Sequence, residues 1–373
     1  PTVDERPDEQ LPRSFSHHLH RLIRNMKRVL LYPVSLLLVL FSCKKDEGNF
    51  VAAGGPTPYS LVIPQGLPQL SIPVDNPLTV EGVSLGKRLF YDPILSGDNT
   101  ISCASCHRQQ YAFTDSTLQF SIGIDLLPGT RNAMPLFNLG YARNFFWDGG
   151  ATNLESQVIG PIMNPVEMHE DLANCIAELQ AHPEYPLLFY KAFKTDSITT
   201  ALLMKAVAQF ERTILSAGSK YDAVQRGQAS FTAAEQRGLD IFTDFQKGDC
   251  THCHTLGSTF TDFEYRNTGL DSIAVDSGRA RITLLPADLG RFKTPSLRNI
   301  ELTAPYMHDG RFQTLQEVMD HYNTGFHYAA NLDPNLRSAT KGRMSQQDMD
   351  DVIAFLKSLT DHSLLTNPAF QPD

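Results

Sequence analysis

This 373-residue chain predicts a mostly α fold made of two related helical units, on three observations. Apolar positions recur at helical spacing over 200–216 and 345–360, for instance Met349, Val352, Ile353, Leu356 and Leu359. Two capping boxes, Thr232-Ala-Ala-Glu235 and Thr314-Leu-Gln-Glu317, mark helix starts. A weak internal repeat sets Gly86-Lys-Arg-Leu-Phe90 ahead of one Cys-x-x-Cys-His pentad and Gly238-Leu-Asp-Ile-Phe242 ahead of another. Convincing alternating strands are scarce.

Taken in order, residues 29–42 are apolar but too short to span a bilayer, follow Arg21, Arg24, Lys27 and Arg28, and end in Leu40-Phe-Ser-Cys43. Residues 26–43 therefore read as a lipoprotein signal peptide. Cleavage before Cys43 would leave that residue to carry the lipid, and a lipid there is the only membrane attachment expected. Residues 1–25, ahead of Met26, read as an upstream extension. Residues 44–80 hold many Pro and Gly with little periodicity and read as a tether and surface strap. Globular structure is expected from near Leu85, with one domain over 81–225, a second over 226–365, and a boundary near 220–232.

The pentads Cys103-Ala-Ser-Cys106-His107 and Cys250-Thr-His-Cys253-His254 have the spacing of covalent c-type haem attachment. Two thiols add to the haem vinyl groups, and the adjacent imidazole reaches the iron. A zinc site of four thiolates or a pair of redox dithiols would use the same CxxC spacing, but neither requires a His after the second Cys both times. Two cytochrome c-like haem domains with long ordered loops follow. Export fits this chemistry, because c-type attachment happens outside the cytoplasm. Cys175, among Leu172, Ile176 and Leu179, reads as a buried packing thiol. The net charge of −9 argues against nucleic acid as a partner.

With the pentads placed, SCASCH, GTRNAMPLFN, FFWDGG, GPIMNPVEM, RFKTPSLRNIELTAPYMHDG and HYNTG occur in order, and on them the chain resembles the bacterial dihaem cytochrome c peroxidase family, including its MauG branch. The resemblance implies a tryptophan bridging the haems, which is Trp147, the sole Trp of the chain. It implies that Glu167 is the acid–base carboxyl over the peroxidatic His107 haem, with Gln157 and Pro161 shaping access to the iron. Where many members have a His that caps this iron at rest, the chain has Ser121-Ile122-Gly123-Ile124. Isoleucine cannot ligate iron, so this haem is expected to be open when fully oxidised.

For the distal ligand of the second haem, Leu315, Val318, Met319 and Tyr322 fall on one helical face, and Tyr322 occupies the family's ligand position, with Met319 and His321 as alternatives. The resemblance further implies a calcium site near Asn132, Thr303 and Pro305, and contacts of Lys293, Arg298 and His308 with propionates or with the order of the second haem. His252, inside the second pentad, reads as a surface residue. Gly150 stands where the family has Arg, which puts any ion pair of that Arg in doubt.

The expected activity is reduction of hydrogen peroxide by a periplasmic or envelope lipoprotein, with electrons from a small donor, a cytochrome c or a cupredoxin. The rival is a MauG-like oxidase that stores oxidising equivalents across both haems and acts on a partner protein. Against the rival, Gly248 stands where MauG draws electrons through a further tryptophan. Dimers are common in the family, so a homodimer is one expected assembly.

Overall fold

Residues 54–115 and 118–373 are described by a computed structural model. The apolar segment 29–42 and Cys43 lie outside the described residues. In chain order the helices are α1 (Val80–Tyr91), α2 (Cys103–Cys106), α3 (Leu154–Met163), α4 (Leu172–Ala181), α5 (Tyr185–Phe193), α6 (Thr200–Thr213), α7 (Lys220–Gln225), α8 (Ala233–Thr243), α9 (Ala280–Thr283), α10 (Leu315–Asp320), α11 (Pro334–Ser338) and α12 (Gln346–Lys357). Among the described residues the strand content is one antiparallel pair, β1 (Tyr265–Arg266) and β2 (Phe292–Lys293). Among the described residues no helix is long and apolar enough to cross a membrane.

The internal repeat is a packing device used twice. Gly86 of α1 lies so close to α6 that a Cβ would stand 1.9 Å from the Ala206 carbonyl oxygen, and Gly238 of α8 meets the Asp351 carbonyl of α12 at the same 1.9 Å. Four residues on, Phe90 packs on Phe210 at 5.3 Å between centroids and Phe242 on Phe355 at 5.2 Å. The absent side chain lets two helices close to backbone contact, and the aromatic pair one turn later fills the wedge that opens beyond it.

Around the first pair, Leu85, Leu89, Val158, Ile162, Phe189 and Leu203 form one core, with Cys175 fully buried in it. Around the second, Phe242, Phe260, Met319, Val352 and Phe355 form another. The end of the chain returns to the first half, where Phe370 packs with Phe90, Phe113 and Phe210.

Both sequence-read capping boxes form, at Thr232/Glu235 and Thr314/Glu317. The first helix starts earlier than the apolar pattern indicates, because the Thr79 hydroxyl accepts from the Gly82 amide and caps α1 at Val80. From Ala206 to Thr213, α6 is buried on every side, so its polar residues need internal partners. The strap supplies two of them. Gln209 donates to Asn76 and accepts from the Thr79 amide, while Asn76 also donates to Glu155. Arg212 pairs with Glu155 at 2.8 Å, which ties α6 to α3.

Candidate active site

Each pentad sits on one short turn that presents both thiols on adjacent positions. Ser102 and Ser105 form a capping box that starts α2, and a 3₁₀ turn over Cys250–His252 does the same job in the second half. His107 Nδ1 lies 3.0 Å from the Phe113 carbonyl, and His254 Nδ1 lies 3.2 Å from the Phe260 carbonyl. Donation from Nδ1 to a carbonyl fixes the tautomer and leaves the Nε2 lone pair free for a metal. Both phenylalanines are fully buried, adopt left-handed backbone, and lie six residues after their histidine. This His-x5-Phe repeat was readable in the sequence as a second internal match, and it is the part of the site that motif reading missed.

Burial decides the chemistry of these groups. It lowers the His107 pKa and takes that of His254 down to about 4, so both imidazoles are neutral, as ligands must be. It pushes Cys103 and Cys250 up to about 12 and Cys253 to about 11, and it raises Cys106. Such thiols are unlike the low-pKa thiolates of reactive redox pairs. Among the described residues no group of three or more His, Cys, Asp and Glu could hold a metal ion. The two pentads are thus separate sites. Two thiols a turn apart, followed by an imidazole with one free nitrogen, fit a covalent haem in each.

Facing the first pentad, Glu167 is partly buried, and desolvation raises its pKa even though Asn164 Nδ2 donates to it at 2.7 Å. Its charge is felt at both Cys103 and Cys106. Gln157 and Pro161 share one face of α3, and Gln157 Oε1 is buried without a hydrogen-bond partner among the described residues. The 121–129 loop lies against the turn that follows α3: Ile124 N donates to the Glu167 carbonyl at 2.9 Å. A Cβ on Gly123 would stand 2.4 Å from the Val166 carbonyl oxygen.

Trp147 is buried and held at both ends. Its indole N–H donates to the Asn132 carbonyl at 2.9 Å, and its own carbonyl accepts from the Lys293 amide at 2.8 Å. Lys293 is buried, burial lowers its pKa to about 8, and its Nζ donates to the Asn144 carbonyl. Asp148 pairs with Arg131, which also grips Asp276. Where Gly150 leaves out an arginine, another comes from far along the chain: Arg279 Nη1 donates to the Asp148 and Gly149 carbonyls and stacks over Tyr265.

On the second pentad the three ligand alternatives separate. After α10 the chain makes one wide π-helical turn over His321–Gly325. Met319 packs into the second core, and His321 Nε2 is engaged with the Thr268 carbonyl at 3.1 Å. The half-buried Tyr322 phenol lies near Cys250 and Cys253, and desolvation, followed by those thiols, raises its pKa. The wide turn is clamped, because Asn323 Nδ2 donates to the Met344 carbonyl and Asn323 Oδ1 accepts from the Met344 amide, each at 3.0 Å.

Arg298 gives its guanidinium to Asp222 as a two-point pair at 2.8 and 2.9 Å, donates to the Ser258 carbonyl and lies over the Phe260 ring. It therefore orders the loop behind His254. His308 stacks on Phe292 with centroids 3.6 Å apart. Asn132 donates to the Gln119 carbonyl at 3.2 Å, and a Cβ on Gly310 would meet both Gln119 and Pro305. No hydrogen bond to the Thr303 or Pro305 carbonyl occurs among the described residues.

Known proteins resemble this chain in sequence and fold. The family profile described as "Di-haem cytochrome c peroxidase" matches residues 80–230. "Methylamine utilization protein MauG" of Methylorubrum extorquens is 36% identical over 348 residues, 90% of this chain and 96% of that protein. "Cytochrome c551 peroxidase" of Nitrosomonas europaea is 34% identical over 343 residues, 90% of this chain and 92% of that protein. The crystal structure of a MauG-like protein associated with microbial copper homeostasis superposes with a TM-score of 0.78 at 35% identity, covering 84% of this chain and 99% of the other. The chain belongs to the dihaem cytochrome c peroxidase family, which takes in both peroxidases and MauG, and it is an oxidoreductase with two c-type haems.

Proposed function

We propose that the chain is an exported, periplasmic or envelope-bound peroxidase that reduces hydrogen peroxide to water with electrons from a small redox protein. The observation that carries this reading is Glu167, a desolvated carboxyl facing the first pentad with its pKa raised. His107 and His254 would hold the two irons through Nε2, the four pentad thiols would hold the porphyrins, and Tyr322 would be a further ligand of the second iron. Haem, when bound, supplies a metal for peroxide and the capacity to pass electrons.

The residues do the rest. Glu167 as carboxylate takes a proton from one peroxide oxygen and returns it to the other, which leaves as water. Overall, one peroxide, two protons and two electrons give two waters. Asn164 fixes the carboxyl, and Gln157 offers a buried acceptor that has no partner among the described residues. Pro161 keeps that wall free of a donor. Trp147 lies on the path from the second half, buried and tethered. With Ile124 bonded to the Glu167 backbone, no side chain of that loop would need displacing by reduction. Carbonyls of Thr303 and Pro305 with the Asn132 amide oxygen suit a hard cation such as calcium, and we assign them that role.

A MauG-like oxidase is the second reading, favoured by Ile124 and Tyr322. Gly248 opposes it, since the only aromatic relay of that kind, Trp147, is buried. The deciding experiment is peroxide-dependent oxidation of reduced cytochrome c by the fully oxidised, haem-loaded protein. Turnover without a lag is expected, and Glu167→Gln should lose about 10²–10⁴-fold in kcat. Turnover unchanged in Glu167→Gln would sink the assignment. No turnover, with a long-lived spectral change after one equivalent of peroxide, would favour the oxidase.

A further inference from the structure

Glu211 is a buried acid that the chemistry at Glu167 leaves unused. It lies in the stretch of α6 enclosed on every side, is 3% exposed, and has an oxygen without a hydrogen-bond partner among the described residues. An ionised carboxylate out of water normally keeps a cation or several donors, because an unpaired buried charge is costly. The cation beside it is already taken. Arg212 makes a two-point pair with Glu155 of α3, 2.8 Å at each contact, and Asn76 donates to the same carboxylate. Arg212 and Glu155 together sum to zero charge, so an ionised Glu211 adds one surplus negative charge.

That surplus falls beside the first pentad. Phe210, the residue before Glu211, shares a core with Phe113, and Cys103 packs against it. After burial, Glu211 is the largest influence on the Cys103 thiol, ahead of Glu167. Arg212 and Glu155 are the charged groups that act on Glu211 itself. Ionisable groups on the other elements packed against α6 are engaged elsewhere or exposed. On α1, Glu81 bonds Thr57, Lys87 pairs with Asp373 and Arg88 with Glu184. On α5, Tyr185 bonds Asp92, Lys194 lies over Tyr190, and Lys191 is exposed. In the 139–141 turn, Tyr141 donates to the Pro68 carbonyl.

The positive charge that Glu211 lacks is one that an oxidised haem on Cys103 brings and a reduced one gives up. A carboxylate near that site is favoured while the iron is ferric and disfavoured once an electron has arrived. Burial brings the Glu211 pKa to about 8, and a positive charge beside it lowers that value.

We propose that Glu211 is the proton partner of the first haem: its carboxylate takes one proton from solvent when that haem accepts an electron, and releases it when the electron leaves. One electron and one proton enter together, and the O–H of Glu211 is the only bond formed. The coupling is reciprocal, so proton concentration sets how readily the first haem is reduced. It requires only the haem on the first pentad and applies to peroxidase and oxidase alike.

The test is a reduced-minus-oxidised infrared difference spectrum of the full, haem-loaded chain at about pH 7. A protonated-carboxyl C=O band should grow on reduction. It should vanish in Glu211→Gln, persist in Glu167→Gln, and move without vanishing in Glu211→Asp, which keeps the acid. A redox titration gives the second readout. At fixed applied potential, the reduced-to-oxidised ratio of the haem on Cys103 should fall up to about tenfold per pH unit as pH rises toward about 8, but less than about twofold in Glu211→Gln. No carboxyl band in the parent overturns the proposal without any variant. A band or a pH dependence that both Glu211 variants leave unchanged overturns it as well.

Discussion

Glu167 and Glu211 are both carboxyls raised by desolvation, yet their surroundings differ. Glu167 has the Asn164 amide and opens toward the first pentad. Glu211, enclosed in α6, has an oxygen with no hydrogen-bond partner among the described residues, and burial lifts its pKa to about 8, opposed only weakly by Arg212. The folded chain therefore holds a proton there that the unfolded chain releases near pH 4.5. Stability from this group is full below about 4.5 and is lost as pH rises through about 8. Glu211→Gln should consequently melt higher than the parent at pH 8–9, by on the order of 2–4 kcal/mol, with the gap closing toward pH 5. Thermal melts across that range would test it, and a gap independent of pH would refute it. Such a residue is not legible in sequence, because Glu211-Arg212 on a helix reads as an exposed pair until burial is known. Glu167 was legible only because a motif surrounds it.

Two close helix crossings hold the molecule, one at Gly86 and one at Gly238. In each the opposing atom is a backbone carbonyl, which cannot swing aside as a side chain would. Gly86→Ala and Gly238→Ala should each cost about 3 kcal/mol despite the better helix propensity of alanine, through overpacking. Circular-dichroism melts would measure this, and a gain in either variant would show that the crossings can relax. The helices themselves, their caps at Thr232 and Thr314, and the repeat were open to reading, since all depend on residues within one or two turns. The wide turn at His321–Gly325 was not. Its clamp joins Asn323 to Met344, 21 residues on, and local patterning carries no trace of a pairing that distant. The start of α1 escaped for a smaller reason: Thr79 caps it before the apolar rhythm begins.

Across the whole molecule, the Asn144–Ala151 loop is gripped from the second half as well as the first. Lys293 bonds Asn144 and Trp147, Arg279 bonds Asp148 and Gly149, and Arg131 joins Asp148 to Asp276. The motifs on either side of this seam were readable one by one. Their convergence was not, because residues near 147 and near 293 lie far apart in the chain and meet only through tertiary packing. A rigid rotation of one half against the other would have to break the bond between the Trp147 carbonyl and the Lys293 amide. The two halves are thus pinned to each other at this seam, and current between the redox centres should flow as in a fixed circuit. Internal electron transfer after pulse reduction of the second haem should be independent of glycerol viscosity. Trp147→Phe should slow it while leaving that independence intact, whereas a rate that falls in proportion to viscosity would mean that the halves swing together before each transfer.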